Sequence, residues 1–129
     1  MTAKKFTFGS VIEEVEIGNK KYSVDFSDDA VEKRDEVLHK WHQEYSTFAN
    51  TDIDSLDMND QRLKLSSLRE NMKEFIESVL GEGVFAELYE LSGKSTTNLL
   101  ELALFLMEFI AEKSNKSADT LRSKYTKKK

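Results

Sequence analysis

The chain has 129 residues, 33 % of them charged, with no cysteine and no proline. That length fits one domain with its own core. The missing cysteines exclude disulfides, thiolate metal sites and a cysteine nucleophile, and are consistent with a reducing compartment. The formal net charge of −5 is unevenly spread: residues 113–129 carry seven Lys/Arg against Asp119 alone, a net +6, so the remainder carries −11. An acidic body with a basic end is not the pattern of a general nucleic-acid binder, whose basic face is built into the fold.

The opening "MTAKKFTFGSV" has lysines but no apolar run or cleavage-type site after them, so no signal peptide is expected. Residues 11–26, "VIEEVEIGNKKYSVDF", predict a β-hairpin. Val11, Val15 and Ile17 alternate with Ile12, Glu14 and Glu16, and Tyr22, Val24 and Phe26 alternate with Lys21, Ser23 and Asp25. Gly18-Asn19 supplies a two-residue turn that sets Val15 opposite Tyr22 and Val11 opposite Phe26, with one apolar face. Phe6 and Phe8 are available for a short third strand.

Ser27, Asp28 and Asp29 carry helix-start chemistry, and Val31, Leu38, Trp41, Tyr45 and Phe48 follow at helical spacing, predicting a helix over about 28–48. "TDIDSLDMND" breaks the period and predicts a loop. A second helix is expected over 61–80, with Leu65, Leu68, Met72, Phe75, Ile76 and Val79 as its apolar stripe. Gly81 is placed to end it in a left-handed conformation. "VFAELYEL" predicts a short helix over 84–91, closed by Gly93. Ser95, Thr96 or Thr97 caps a last helix over about 96–113. The expected architecture is α+β and mostly helical: an N-terminal hairpin, then a bundle of three to five helices. Residues 1–113 form one domain, and 114–129 a basic end, partly helical or frayed.

Few motifs suggest chemistry. Gly81, Gly83 and Ala86 match the G-x-G-x-x-A spacing of dinucleotide folds, but "ENMKEFIESVL" before them is an amphipathic helix where that motif requires a buried strand. Glu82 would also repel a pyrophosphate. A structural helix–turn–helix corner, with Phe85 directed into the core, is the better reading. His39 and His42 lie three apart near Glu36, without the H-E-x-x-H spacing of a zinc site. Asp52, Asp54, Asp57 and Asp60 fail as an EF-hand loop: Asp57 stands where glycine is required and Leu63 where the bidentate glutamate belongs. No nucleophile elbow is present. No catalytic residue, cofactor or metal is therefore expected.

The most informative stretch is "TNLLELALFLMEFIAEK". Glu101, Glu108 and Glu112 share a narrow polar strip, with Leu104 and Phe105 flanking it, and apolar residues cover most of the remaining circumference. A surface helix needs an apolar arc of only about 100° or slightly more. This stretch is too short and too acidic to span a membrane, which takes roughly 20 apolar residues. Two readings stay open: a central helix surrounded by its own chain, or a helix with part of its arc facing a partner. In the second, Leu99, Leu102, Phe105, Leu106 and Phe109 are the contact residues, and Phe105 is the most exposed of them.

"KKYSVDFSDDAVEKR" closes the hairpin and opens a helix. "NMKEFIESVLGEGVFAELYE" joins two helices through the Gly81–Gly83 corner, and an apolar helix and a lysine-rich end follow. This order resembles the tail assembly chaperones of long-tailed bacteriophages and prophages of Gram-positive hosts, over nearly the whole chain and most specifically from Phe75 to Glu90. The resemblance implies a non-enzymatic helper in the host cytoplasm, absent from the mature virion. Its implied partners are the tape measure protein, which it coats and keeps soluble, and the tail-tube subunits it helps recruit; the wide apolar arc adds other copies of the chain as an expected partner. It also implies, for many members, a longer form made by ribosomal frameshifting, with which "TKKK" at the end is compatible. No nucleic acid or membrane is among the partners. The alternative is a small cytosolic adaptor that homodimerises through the 99–110 helix.

Overall fold

The computed structural model describes the backbone of residues 3–126 and the side chains of residues 3–114. Two strands, β1 (Ile12–Ile17) and β2 (Lys20–Asp25), precede four helices: α1 (Asp28–Ala49), α2 (Met58–Leu80), α3 (Val84–Leu91) and α4 (Thr96–Thr126). A single 3-10 turn, Ile53–Ser55, lies between α1 and α2. The fold is thus α+β and mostly helical. No helix among the described residues is long and apolar enough to cross a membrane.

The hairpin has the expected register, with Val15 opposite Tyr22. Of the two turn residues only Gly18 takes a positive φ, 64°, which fits the turn type that places glycine first. The Phe26 N–H donates to the Val11 carbonyl at 2.7 Å. That bond sets the phase of the ladder. Val11, Glu13, Val15 and Ile17 direct their main-chain groups at β2, so Ile12, Glu14 and Glu16 direct theirs outward at the free edge. Val15, Tyr22 and Val24 are buried under the helices, whereas Val11 is 50 % exposed despite its pairing with Phe26. The third strand is not formed: residues 3–11 have no strand structure, and Phe6 and Phe8 pack only edge to face on each other, 78 % and 85 % exposed.

Helix α1 starts where its caps dictate. The Ser27 hydroxyl accepts from the Ala30 N–H, and Asp28 and Asp29 occupy the positive first turn. Helix α2 begins three residues earlier than the period suggested, because Asp57 caps it by accepting the Asp60 N–H at 2.8 Å. The aspartate-rich segment is therefore a connection ending in a cap.

The hub of the molecule is α2, which packs against α1, α3, α4 and β2. Its residues Leu68, Met72, Phe75, Ile76, Val79 and Leu80 are buried. Trp41 of α1 stacks on Phe75 with centroids 5.9 Å apart and planes 5° apart, and its indole N–H points to the Met107 sulfur of α4 at 3.0 Å. Leu65, expected in the stripe, is 38 % exposed.

The corner between α2 and α3 turns on Gly81 and Gly83, with the left-handed position one glycine later than expected. The left-handed residue is Gly83 (φ 84°, ψ −5°), whereas Gly81 takes φ 123°, ψ 153°, a region open essentially to glycine alone. Phe85 is buried as expected, and its N–H is held by the Glu77 carboxylate at 3.1 Å. At the end of α3, Lys94 N–H reaches the Tyr89 carbonyl and Gly93 N–H the Glu90 carbonyl, the paired bonds of a Schellman motif. Ser95 then caps α4 through the Asn98 N–H. Helix α4 continues past Lys113 to Thr126, and the end of the basic segment, residues 127–129, lies outside the described residues.

Candidate functional site

The five contact residues expected on α4 do not share one surface. The α2–α4 packing takes Leu99 and Leu106, which are 1 % and 0 % exposed, together with Ala103 and Ile110. Leu99 and Leu106 are core residues and cannot meet a partner while the chain is folded. Leu102 and Phe109 are half-buried against the core. Phe109 meets the Phe26 ring edge-on at 5.9 Å and lies under the Lys113 ammonium at 5.7 Å. Lys113 in turn pairs with Glu13 of β1 at 3.5 Å, which fastens the hairpin to α4. Phe105 alone is open, at 47 %, and exposed Glu101, Glu108 and Glu112 share its side of the helix. The candidate surface therefore narrows to an aromatic ring in an acidic strip, flanked by the outer parts of Leu102 and Phe109. α4 is not the surrounded helix; α2 is.

The other candidates lie on α1 and at the α2–α3 corner. His39 and His42 are exposed on α1, beside Glu36 along an open hollow of about 520 Å3. Among the described residues no three His, Asp or Glu side chains are placed to hold a metal ion. Glu82 is exposed at the corner, and Gly81 and Gly83 approach no cradle: the nearest atom to a Cβ on Gly81 would be a Val84 methyl at 3.7 Å, and Gly83 faces open space.

Two features were missed in the sequence. Arg34 is 5 % exposed. Its guanidinium donates to the Asp25 carbonyl at 2.6 Å and to the Ser78 carbonyl at 3.4 Å, and it lies over the Phe26 ring at 5.4 Å. Burial pushes its pKa below the ordinary arginine value, and the Asp25 carboxylate opposes that shift. With Nε and one Nη engaged by main-chain carbonyls, Arg34 ties β2, α1 and α2 together. The signal was present: Arg34 fills the gap in the stripe between Val31 and Leu38. The second feature is a hollow of about 430 Å3 at the other end of the α1–α2 pair, lined by Phe48, Leu56, Leu63 and Leu68 with Glu44 and Asp60 at its rim. Its wall residue Leu63 is 61 % exposed, and nearby in sequence Met58 is 76 % exposed.

Comparison with protein-family models, with curated proteins and with solved structures finds no match.

Proposed function

We propose that this chain is a non-enzymatic tail assembly chaperone of a bacteriophage or prophage. In this reading it acts in the host cytoplasm, binds the tape measure protein, keeps that long helical client soluble and helps recruit tail-tube subunits. The order of elements from the hairpin to the lysine-rich end supports the family reading. The observation that carries the binding mode is Phe105, open on the acidic side of a helix whose opposite side is core.

A client helix laid along this strip would present apolar anchors at i, i+3, i+4 and i+7 to Phe105 and to the outer parts of Leu102 and Phe109. Basic residues flanking those anchors would face Glu101 and Glu108. Covering one large apolar side chain contributes about 1.5–3 kcal/mol. One aromatic with two half-covered neighbours suits a weak contact repeated along a long client, as coating requires. The homodimeric adaptor would have to use the same residues, since Leu99 and Leu106 are occupied by the core.

Co-expression with the tape measure protein, followed by co-purification, tests the reading. The wild type is expected to keep the client in the soluble fraction. Phe105→Ser is expected to leave the melting temperature nearly unchanged and let the client aggregate. A client that is insoluble with the wild type removes the chaperone reading. A client held equally well by Phe105→Ser moves the binding surface elsewhere.

A further inference from the structure

The N-terminal arm and the outer edge of β1 are complementary, and among the described residues neither the arm nor the outward groups of Glu14 and Glu16 pair with another strand. Residues 3–8, "AKKFTF", are exposed throughout, with Phe6 and Phe8 resting only on each other. After them β1, "IEEVEI", is an edge strand of a sheet that has two strands among the described residues. The phase of the ladder leaves the main-chain groups of Glu14 and Glu16 facing outward. Such an edge is a template for another strand, and a two-stranded sheet is marginal by itself.

Charge decides which strand fits. β1 carries Glu13, Glu14 and Glu16, so two β1 edges brought together would set carboxylates against carboxylates. The arm carries Lys4 and Lys5 and has period-two alternation: Lys4, Phe6 and Phe8 fall on one face, Lys5 and Thr7 on the other. Return of the arm onto its own β1 is obstructed. A two-residue turn at Gly9-Ser10 would close on Val11, whose carbonyl already serves β2. A three-residue turn would close on Ile12, whose N–H and carbonyl are both held by the Ser10 hydroxyl at 3.1 Å.

We propose that residues 3–8 of one copy add as a strand to the β1 edge of a second copy, reciprocally, giving a two-fold dimer with three strands per sheet. Lys5 and Thr7 of each arm share the face of Glu14 and Glu16 of the other copy, and Lys4, Phe6 and Phe8 share the face of Glu13, Val15 and Ile17, where the two rings gain cover. This places self-association on the hairpin and leaves the Phe105 strip free. It does not rest on the tape-measure reading, because every group involved lies in the first 17 residues.

A charge exchange on the full-length chain tests it by sedimentation at low salt, with thermal melts to verify folding. Among the described residues Glu14 and Glu16 are exposed and make no ion pair, and their reversal leaves the Glu13–Lys113 pair in place. The wild type is expected to dimerise. Lys4→Glu/Lys5→Glu and Glu14→Lys/Glu16→Lys are each expected to weaken dimerisation by about tenfold or more. Mixing the two variants restores a dimer, since each arm then meets an edge of opposite charge. Phe6→Ser/Phe8→Ser dissociates it without charge change. A wild type that stays monomeric overturns the proposal, as does a dimer indifferent to both reversals. Charge reversals that shift the melting temperature of a chain monomeric throughout show the arm on its own edge, which also overturns it.

Discussion

The two ends of the α1–α2 pair are closed by different means. At one end the hairpin lies over α2, and Arg34 binds β2 and α2 through their carbonyls, so that Val24, Ile76 and Val79 are sealed from water. At the other end Phe48, Leu56 and Leu63 line an open hollow, and Met58, Leu63 and Leu65 are exposed. The two helices are continuous from one end to the other. What differs is whether a further layer reaches across them. A stripe at helical spacing becomes core only where another element covers it, so one period gives buried side chains at one end and exposed ones at the other.

Substitutions can break or sharpen this contrast, and chemical denaturation measures most of them. Ile76→Ala, under the hairpin, should cost about 2–5 kcal/mol of folding stability. Arg34→Ala should cost about 1.5–3 kcal/mol, because it leaves two carbonyls without their charged donor. A loss near zero would mean that the hairpin end is sealed by packing alone. Gly81→Ala forces a side chain into a backbone region that only glycine occupies comfortably and should cost about 1–3 kcal/mol. At the open end Leu63→Ala should change stability by no more than about 0.5 kcal/mol. A larger loss would show that the hollow is closed in solution and would remove the contrast.

The smallest effect concerns pH. The Ser27 N–H, donating to Asp25, holds that carboxyl below the usual aspartate range. Its contribution is therefore present above the ordinary aspartate pKa and is lost as pH falls through the lowered value of the folded state. Asp25→Asn should melt slightly lower than the wild type at neutral pH, and the difference should close in acid. A constant difference across that range would assign the effect to something other than ionisation.

Local features were legible in the sequence. Alternation around Gly18-Asn19 specifies the hairpin register because the side-chain period of a strand is two and the loop length is fixed. The corner at Gly81–Gly83 was legible because a stripe ended and glycines followed. What was not legible depended on contacts between elements. The wide apolar arc of α4 suggested either a central helix or a partner face, but centrality belongs to α2, whose amphipathic pattern looked ordinary. Composition counts apolar residues, whereas packing depends on which helix has neighbours on several sides. Phe105 was legible as the exposed member of its set, since it flanks the glutamate strip; Leu99 and Leu106 were not separable from it without knowing where α2 lies. The third strand is absent beside a feature no periodicity carries: the Ser10 hydroxyl holds the Ile12 N–H and carbonyl, on which a three-residue turn would close.

Trp41 is the chain's single tryptophan, sealed between the Phe75 ring and the Met107 sulfur. The tryptophan fluorescence of the protein is therefore the emission of one indole at the junction of three helices. It senses whether α1, α2 and α4 remain assembled. Events confined to the arm, the hairpin edge or the Phe105 strip leave that indole's surroundings as they are. An optical signal that is quiet during association and red-shifts on unfolding separates the two processes without any label.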